Sequence, residues 1–404
     1  VELIKRCYPQ KGDLLITKVG TTGIPILIKT DQEFSLFVSV ALIKFATKSI
    51  FGEFLVHLVN SPHLKKQSEE GTEGVGNKNL VLKKINLFSI PLPPLAEQKR
   101  IVAKIDELMK LCDKLEALRN SRNDKRLTVN NAAINRLLTA ADTNDFDSAW
   151  QFITRHFNPL YCVKENVAEL KKAILTLAMQ GKLVKQDPKD QPASELLKEI
   201  QAEKERLIKE RKIKKQKELP PINSEEVPYQ VPEGWVWTRL GELSSVQTGK
   251  KDVNEGHENG SYPFFSCAQI PLKSNEYSYD TEALLLPGNG ANVGQVTYYH
   301  GKFEAYQRTY ILSDFFPDTI VFIQKTLEAR FLKSLEGKQY GSAINYIKLG
   351  SLTDFLVPLP PLAEQKRIVA KIDELMALCN KLESQIDQAT TKQTALFDAV
   401  LAKV

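Results

Sequence analysis

A 19-residue sequence that occurs twice without a change is the strongest constraint on this chain. Residues 91–109 and 358–376 both read PLPPLAEQKRIVAKIDELM, 267 positions apart. This period is too long for a solenoid or propeller unit, so it predicts two copies of a larger unit, each a domain followed by a helix. The apolar residues just before each copy also match: Leu82, Ile85, Phe88 and Ile90 against Leu349, Leu352, Phe355 and Val357. The polar residues between them differ, which is typical of one fold that recognises two targets.

The repeated sequence predicts a long helix in each copy. Prolines end an extended stretch, and Glu97 and Glu364 then fall in a first helical turn, so we expect helices to begin near Leu95 and Leu362. Apolar residues follow at alternating spacings of four and three, which is an a/d seam. The seam residues are Ile101, Ile105, Leu108, Cys112 and Leu115, and in the second copy Ile368, Ile372, Leu375, Cys379, Leu382 and Ile386. Each seam is expected to pack on a long helical partner, most simply its copy, with both cysteines as small core residues.

The segment between the first helix and the second domain has its own pattern. Helical periodicity in residues 148–184 ends at Gly181, a typical residue just past a helix end. A second helix is predicted over 194–217, and its final part is strongly basic. Residues 218–234 are rich in proline and predict an extended linker.

The second domain combines short strands with one helix. Strands are predicted at 236–240, 283–286, 295–299 and 309–312, and a helix at 319–335. The sequence GDLLITKVGTTG at 12–23 resembles EALLLPGNGANVG at 282–294, and in both an apolar strand enters a Gly-rich loop. Nothing before Lys11 matches the start of the second domain, so the first domain is expected to lack its beginning.

The net charge of +6 is confined to one segment. Residues 204–217 hold eight basic and two acidic side chains, so the rest of the chain sums to zero. The second domain, counted over 231–361, carries 14 acidic against 11 basic residues. Bulk charge therefore does not argue that this domain binds DNA. Five separated cysteines without a C-x-x-C favour a reducing, cytoplasmic location, and no apolar run approaches the ~18 residues of a membrane span.

These motifs together resemble a known family. The doubled 91–109 sequence, residues 169–210 and the W-x-W-x-x-L-G-E at 235–242 are similar to the DNA-specificity (S) subunit of type I restriction-modification systems. The resemblance implies an α+β fold, with two similar α/β target recognition domains separated by a pair of long antiparallel coiled-coil helices. The corresponding ranges are an incomplete first recognition domain at 1–90, a spacer helix at 91–140, a helical linker with a basic helix at 141–230, the second recognition domain at 231–357 and a second spacer helix at 358–404.

The resemblance also implies partners. Each recognition domain would read one half of a bipartite site in double-stranded DNA, and the helices would dock two methyltransferase (M) subunits. Restriction (R) subunits would join them. S-adenosylmethionine, ATP and Mg would be used by these partner subunits, with no cofactor bound by this chain.

Motifs that would indicate catalysis in this chain have simpler interpretations. FNPLY at 157–161 differs from the N-P-P-[YF] box of adenine methyltransferases because Leu160 replaces the second proline, so a turn before a helix is favoured. GNGANVG at 288–294 is one residue longer than the dinucleotide fingerprint, and a flexible loop is favoured. Glu97-Gln98-Lys99 resembles a nuclease E-x-K, but its position at a helix start favours capping. The five histidines have no metal-site spacing.

Base-reading residues are expected in the polar loops of the recognition domains. Arg, Lys, Asn and Gln can make bidentate contacts to base edges. The candidates in the second domain are Lys250, Lys251, Asn289, Asn292, Gln307, Arg308, Gln339, Tyr340 and Asn345. The candidates in the first domain are Lys18, Thr21, Thr22, Asn77 and Lys78.

The sequence therefore predicts a non-catalytic, sequence-specific DNA-binding subunit of a methyltransferase and restriction complex. Two other hypotheses stay open. One is a truncated scaffold or regulator that binds M subunits but no complete bipartite site. The other is a self-sufficient adenine methyltransferase, which would bind S-adenosylmethionine by itself.

Overall fold

The computed structural model describes residues 7–74, 78–216, 218–316, 318–336 and 346–401. The chain divides into two compact units, Val1–Arg122 and Asn123–Val404. Both units mix helices with sheet, which confirms the predicted α+β class. Four predicted site residues lie outside the described residues: Asn77, Gln339, Tyr340 and Asn345. No helix in the described part of the chain is long and apolar enough to cross a membrane.

The first unit is a small sheet covered by helices. Its elements are β1 (Leu14–Thr17), β2 (Pro25–Leu27), β3 (Val40–Ile43), α1 (Gly52–Asn60), α2 (Pro62–Glu70), β4 (Thr72–Glu73), β5 (Asn79–Leu80), α3 (Leu82–Ile85) and the start of α4 (Leu95–Leu138). The sheet is antiparallel in the order β2-β1-β3. Leu14 and Ile16 alternate along β1 and are buried against Phe54 and Leu58 of α1.

The long helix α4 begins at the predicted residue, Leu95. Its last turns belong to the second unit, where Ile134 and Leu137 pack in an apolar cluster. Along the first unit's part of the helix, Ile101 packs against the core of this unit, whereas the later seam residues face solvent: Leu108 is 48% and Leu115 57% exposed. Within this unit Cys112 is also exposed, so the first unit alone does not make it the core residue that was expected.

A helical region follows α4 in the second unit. Its elements are α5 (Thr143–Arg155), α6 (Phe157–Leu160), α7 (Lys164–Met179) and α8 (Ala193–Lys209). The end of α7 is as predicted, because Gly181 has φ +70° and the N–H of Lys182 donates to the Leu177 carbonyl. FNPLY forms the short helix α6 with Leu160 buried, which agrees with the structural interpretation of that motif.

The predicted basic helix is wrong at its C-terminal end. Helix α8 stops at Lys209, and Arg211 adopts a left-handed conformation with φ +57°. Five cations between 209 and 215 would repel one another along a continued helix. The most basic residues therefore lie in non-helical chain.

The rest of the second unit is built on a six-stranded sheet. Its elements are β6 (Val236–Arg239), α9 (Leu240–Leu243), β7 (Ser244–Thr248), β8 (Tyr262–Phe265), β9 (Leu272–Ser274), β10 (Tyr279–Pro287), β11 (Thr297–Ala305), β12 (Thr309–Asp314), α10 (Ile320–Ser334), α11 (Leu349–Thr353), β13 (Leu356–Leu359) and α12 (Leu362–Leu401). The strand order is β7-β12-β10-β11-β8-β9. All pairs are antiparallel except β8 with β11. Strands β6 and β13 pair separately, so the start of this region lies beside its end.

Helix α12 begins at Leu362 as predicted, and its seam is buried by neighbours within its own unit. Ile368 and Ile372 lie in the core shared with α10, and Cys379 packs against Ile174 and Leu177 of α7. Lys171 of α7 also pairs with Glu383 at 2.7 Å. The seam of α12 therefore packs on α7. Pairing of the two repeated helices with each other stays a prediction.

The Pro-rich segment 218–234 is tied to the sheet and helices rather than free. Tyr229 donates a hydrogen bond to the Met179 carbonyl at 2.8 Å, and the Arg330 guanidinium stacks on the ring of Tyr229. Arg239 bonds the carbonyl of Pro220 and the carboxylate of Glu226. The segment is extended, as predicted, but it is a strap packed on its own unit.

Candidate DNA-binding loops

Four loops of the second unit meet through backbone and side-chain hydrogen bonds, and we call them the loop cluster (249–252, 266–269, 288–292 and 305–309). The Arg308 carbonyl accepts from the Gly288 N–H at 2.8 Å and lies 3.6 Å from the Cys267 Sγ. The Gln307 N–H donates to the Lys251 carbonyl at 2.9 Å. The structure thus brings together all six described candidates of the second domain.

Two glycines allow these loops to approach so closely. A Cβ on Gly249 would lie 2.2 Å from the Ala305 carbonyl oxygen, and one on Gly288 would lie 2.4 Å from the Arg308 oxygen. Both distances are impossible for real atoms, so these positions require glycine for packing between backbones.

The six candidates differ in how free their side chains are. Lys251 pairs with Glu255 at 2.9 Å, and this hydrogen bond raises the pKa of the Lys251 ammonium. Asn292 donates to the Cys267 carbonyl at 2.8 Å and so holds the cluster together. Lys250, Gln307 and Arg308 are exposed. Gln307 makes only a 3.4 Å contact to Asp252, and within the described residues no carboxylate pairs with Arg308.

The Lys250 ammonium lies 5.9 Å from the centre of the Tyr279 ring, a cation–π distance. Burial raises the pKa of the Tyr279 hydroxyl. An uncharged ring therefore supports a cation that remains exposed, an arrangement suited to contact with a phosphate.

Sequence reasoning missed the loop 266–269 and its neighbour Ile270. Gln269 lies beside a small recess lined by Phe265, Pro287 and Thr309, and Ile270 is 79% exposed. The available signal was the short polar break between two apolar stretches, CAQIP at 267–271.

The Gly-rich loop of the first unit repeats the geometry of the second. Gly20 and Gly290 have φ values of +80° and +86°. Val19 bridges Asn79, and in the same way Asn289 bridges Tyr346. The predicted resemblance of 12–23 to 282–294 is therefore confirmed in the backbone.

The described candidates of the first unit lie around this loop. The N–H of Gly20 donates to the Lys78 carbonyl at 3.0 Å, and Leu80 donates to the Lys18 carbonyl at 2.7 Å. Thr22 bonds Thr72 at 3.1 Å, whereas the side chains of Thr21 and Lys78 are exposed. Their contact with DNA stays a prediction.

The two units therefore share one loop scaffold and differ in the side chains that the loops carry. Residues 1–122 and 232–391 match the model of the type I restriction modification DNA specificity domain. The chain therefore belongs to this family, as its sequence motifs predicted.

Specificity subunits of type I restriction enzymes from Escherichia coli are similar to this chain. The chain is 33% identical over 381 residues to the specificity subunit of the type I restriction enzyme EcoAI, covering 86% of this chain and 63% of that one. It is 28% identical over 414 residues to the EcoEI specificity subunit, covering 95% of this chain and 67% of that one. The chain thus spans about two thirds of the length of these relatives.

A solved structure shares the fold. A chain from work on complex assembly and conformational transition of the type I restriction-modification system superposes with a TM-score of 0.53 at 19% identity. The match covers 98% of this chain and 82% of that one. At this identity the likeness supports the fold.

Proposed function

We propose that this chain supplies the sequence specificity of a type I restriction-modification complex and binds a bipartite site in double-stranded DNA. The observation that carries the proposal is the repetition of one loop scaffold with different side chains. A protein that binds one symmetric target would need the same side chains in both copies. Different side chains on a common backbone suit two unlike half-sites, each read by one unit.

The loop cluster has the chemistry that this function needs. Arg308 presents five N–H donors in a planar fork that matches the O6 and N7 acceptors of guanine. Gln307 can bond the N6 and N7 edge of adenine, and Lys250 offers a charge for a phosphate. Lys251 and Asn292 hold the loops in place instead.

Methyltransferase and restriction subunits are the proposed protein partners. The exposed apolar side chains of α4 support this part of the proposal, because a helix surface of this kind favours contact with another helix. They are Met109, Leu111 and Leu118, which lie outside the seam that is predicted to pack on the copy of this helix. In this account two M subunits and R subunits bind S-adenosylmethionine, ATP and Mg, and the chain itself is a non-catalytic, cytoplasmic component.

A binding experiment with purified M subunit tests the proposal. Duplexes selected from a random pool should converge on one bipartite sequence. Arg308→Ala should weaken binding to that sequence by about 5- to 150-fold, equivalent to one bidentate base contact. Lys333→Ala, which removes an exposed charge from α10, should leave binding within about twofold. If no duplex is enriched from the pool, the proposal is wrong and a scaffold that lacks DNA specificity is favoured.

A further inference from the structure

The same tight turn occurs in both units with different chemistry, and we call it the entry turn (residues 37–39 and 306–308). It leads into β3 in the first unit and into β12 in the second. In each turn the N–H of the first strand residue donates to the carbonyl of the first turn residue. The Val40 N–H donates to the Phe37 carbonyl at 3.1 Å, and the Thr309 N–H donates to the Tyr306 carbonyl at 2.8 Å. The two turns therefore close in the same way.

A second hydrogen bond fixes each turn against the Gly-rich loop of its unit. The Lys18 N–H donates to the Ser39 carbonyl at 2.8 Å, and the Gly288 N–H donates to the Arg308 carbonyl at 2.8 Å. The following strand pairs with the strand that precedes the Gly-rich loop in both units. This register makes Ser39 the counterpart of Arg308.

The remaining positions follow from this register. Val38 corresponds to Gln307, and Phe37 corresponds to Tyr306. Gln307 and Arg308 are exposed polar side chains, whereas Phe37 is 76% and Val38 65% exposed. The second unit thus presents the amide of Gln307 where the first presents Val38, and the guanidinium of Arg308 where the first has Ser39.

Within the described residues of the first unit, neither Phe37 nor Val38 belongs to an apolar cluster. Turns are normally polar, so two adjacent, largely exposed apolar side chains at the tip of a turn are unusual. In the major groove the apolar feature of a base pair is the 5-methyl group of thymine. Apolar side chains, Phe among them, recognise that group by direct contact.

We propose that residues 37–39 form the base-reading turn of the first unit and recognise a thymine methyl by apolar contact. The corresponding turn of the second unit recognises guanine through Arg308. This inference rests on the proposed function and adds the base class read at one position of each half-site.

Replacement of thymine by deoxyuridine is the direct test, because it removes the methyl group alone. The wild-type chain with M subunit should bind about fourfold more weakly when one particular thymine of the first half-site is replaced. The first half-site is the one unaffected by Arg308→Ala. A variant with Phe37→Ala and Val38→Ala should bind both duplexes equally.

Leu87→Ala, which truncates another exposed apolar residue of this unit, should keep the fourfold difference. If no thymine of the first half-site is sensitive in the wild-type chain, or if the double variant keeps the full difference, the inference is wrong. Failure of the proposed function would differ, because the wild-type complex would then select no sequence at all.

A graft provides a gain-of-function test. Phe37→Tyr, Val38→Gln and Ser39→Arg together give the first unit the entry turn of the second. When this variant is expressed with M subunits, the DNA sequence that becomes methylated should change at the first half-site. Its second half-site and the spacing between the two should stay the same. If the variant methylates the wild-type sequence as completely as the wild-type chain does, the inference is wrong. If the variant does not fold, the deoxyuridine comparison still tests the inference.

Discussion

Asp314, at the end of β12, has a partly buried carboxyl group. Burial raises its pKa from 3.8 to about 6, while Thr319 donates a hydrogen bond to it at 3.0 Å. Because the folded pKa lies above the unfolded one, the stability it contributes is fully present below about pH 4 and lost as the pH rises through 6.

The expected result of Asp314→Asn follows from this sign. Above pH 6 the variant should be more stable than wild type, by up to about 3 kcal/mol, and near pH 4 the two should agree. Urea unfolding at several pH values measures the difference. Asp280→Asn, which replaces an exposed carboxylate of the same sheet, is the control and should change the free energy of unfolding at neutral pH by about 0.5 kcal/mol or less. An Asp314→Asn variant that is equally stable at every pH would contradict this explanation.

The duplicated Glu97 and Glu364 have the same sequence neighbours but different surroundings. Glu364 is buried, accepts from Trp235 at 3.0 Å and Gln186 at 3.1 Å, and has its pKa raised by burial. Glu97 is exposed. The E-x-K motif is therefore explained in the second copy by a buried structural carboxylate rather than by capping alone.

Alanine at these two positions should separate the roles. Glu364→Ala leaves the Trp235 N–H buried without an acceptor and should lower the free energy of unfolding by about 1–3 kcal/mol. Glu97→Ala should change it by about 0.5 kcal/mol or less. Chemical denaturation measures both, and equal effects would show that the buried contacts are not as described.

At the scale of elements, the strap 218–234 depends on Arg239 of β6. Its guanidinium bonds three backbone carbonyls and Glu226 while almost wholly buried. Arg239→Ala should leave these groups unpaired, destabilise the unit by about 3 kcal/mol or more, and expose the strap to proteases. Arg206→Ala removes an exposed ion pair with Glu203 and should cost about 1 kcal/mol or less. Equal protease resistance of both variants would contradict the packed strap.

The two repeated helices should differ in thiol reactivity. Cys112 on α4 is exposed, whereas Cys379 on α12 is buried and has its pKa raised by burial. A thiol reagent should label Cys112 rapidly in the folded chain and Cys379 only on unfolding. Single Cys→Ser variants assign each rate. Slow labelling of Cys112 would show that the α4 seam is covered.

The long helices were predictable because their signals are local. Prolines and a first-turn glutamate mark Leu95 and Leu362, and both helices begin there. The end of α8 at Lys209 was not predictable from periodicity, since the spacing of apolar residues says nothing about the repulsion among the cations that follow. The seam's partner α7 was also missed, because an a/d pattern shows that a helix is buried without showing which helix buries it.

The candidate site was predictable only in part. Gly-rich loops and polar residues indicated the loop cluster of the second unit. The entry turn of the first unit gave no such signal, because Phe37-Val38-Ser39 and Tyr306-Gln307-Arg308 share no residue. Only the hydrogen-bond register relates them, and register is a property of the folded sheet.

At the scale of the whole molecule, charge limits what the chain can do alone. Several cations of the basic segment are already paired, including Arg206 with Glu203 and Lys204 with Glu242. We therefore expect the isolated chain to bind duplex DNA weakly and with a shallow dependence on salt, and M subunits to add both affinity and salt dependence. Fluorescence anisotropy between about 50 and 200 mM salt measures this. Tight, steeply salt-dependent binding by the chain alone would contradict it.

The central claim is that this chain determines which DNA sequence its complex binds and methylates. Co-expression with M subunits in a host that lacks other adenine methylation, followed by methylation sequencing of the genome, tests it most directly. We predict a single bipartite methyl-adenine motif that is absent without this chain and altered in one half by Arg308→Ala. Methylation without a defined motif, or the same motif in the absence of this chain, would contradict the claim.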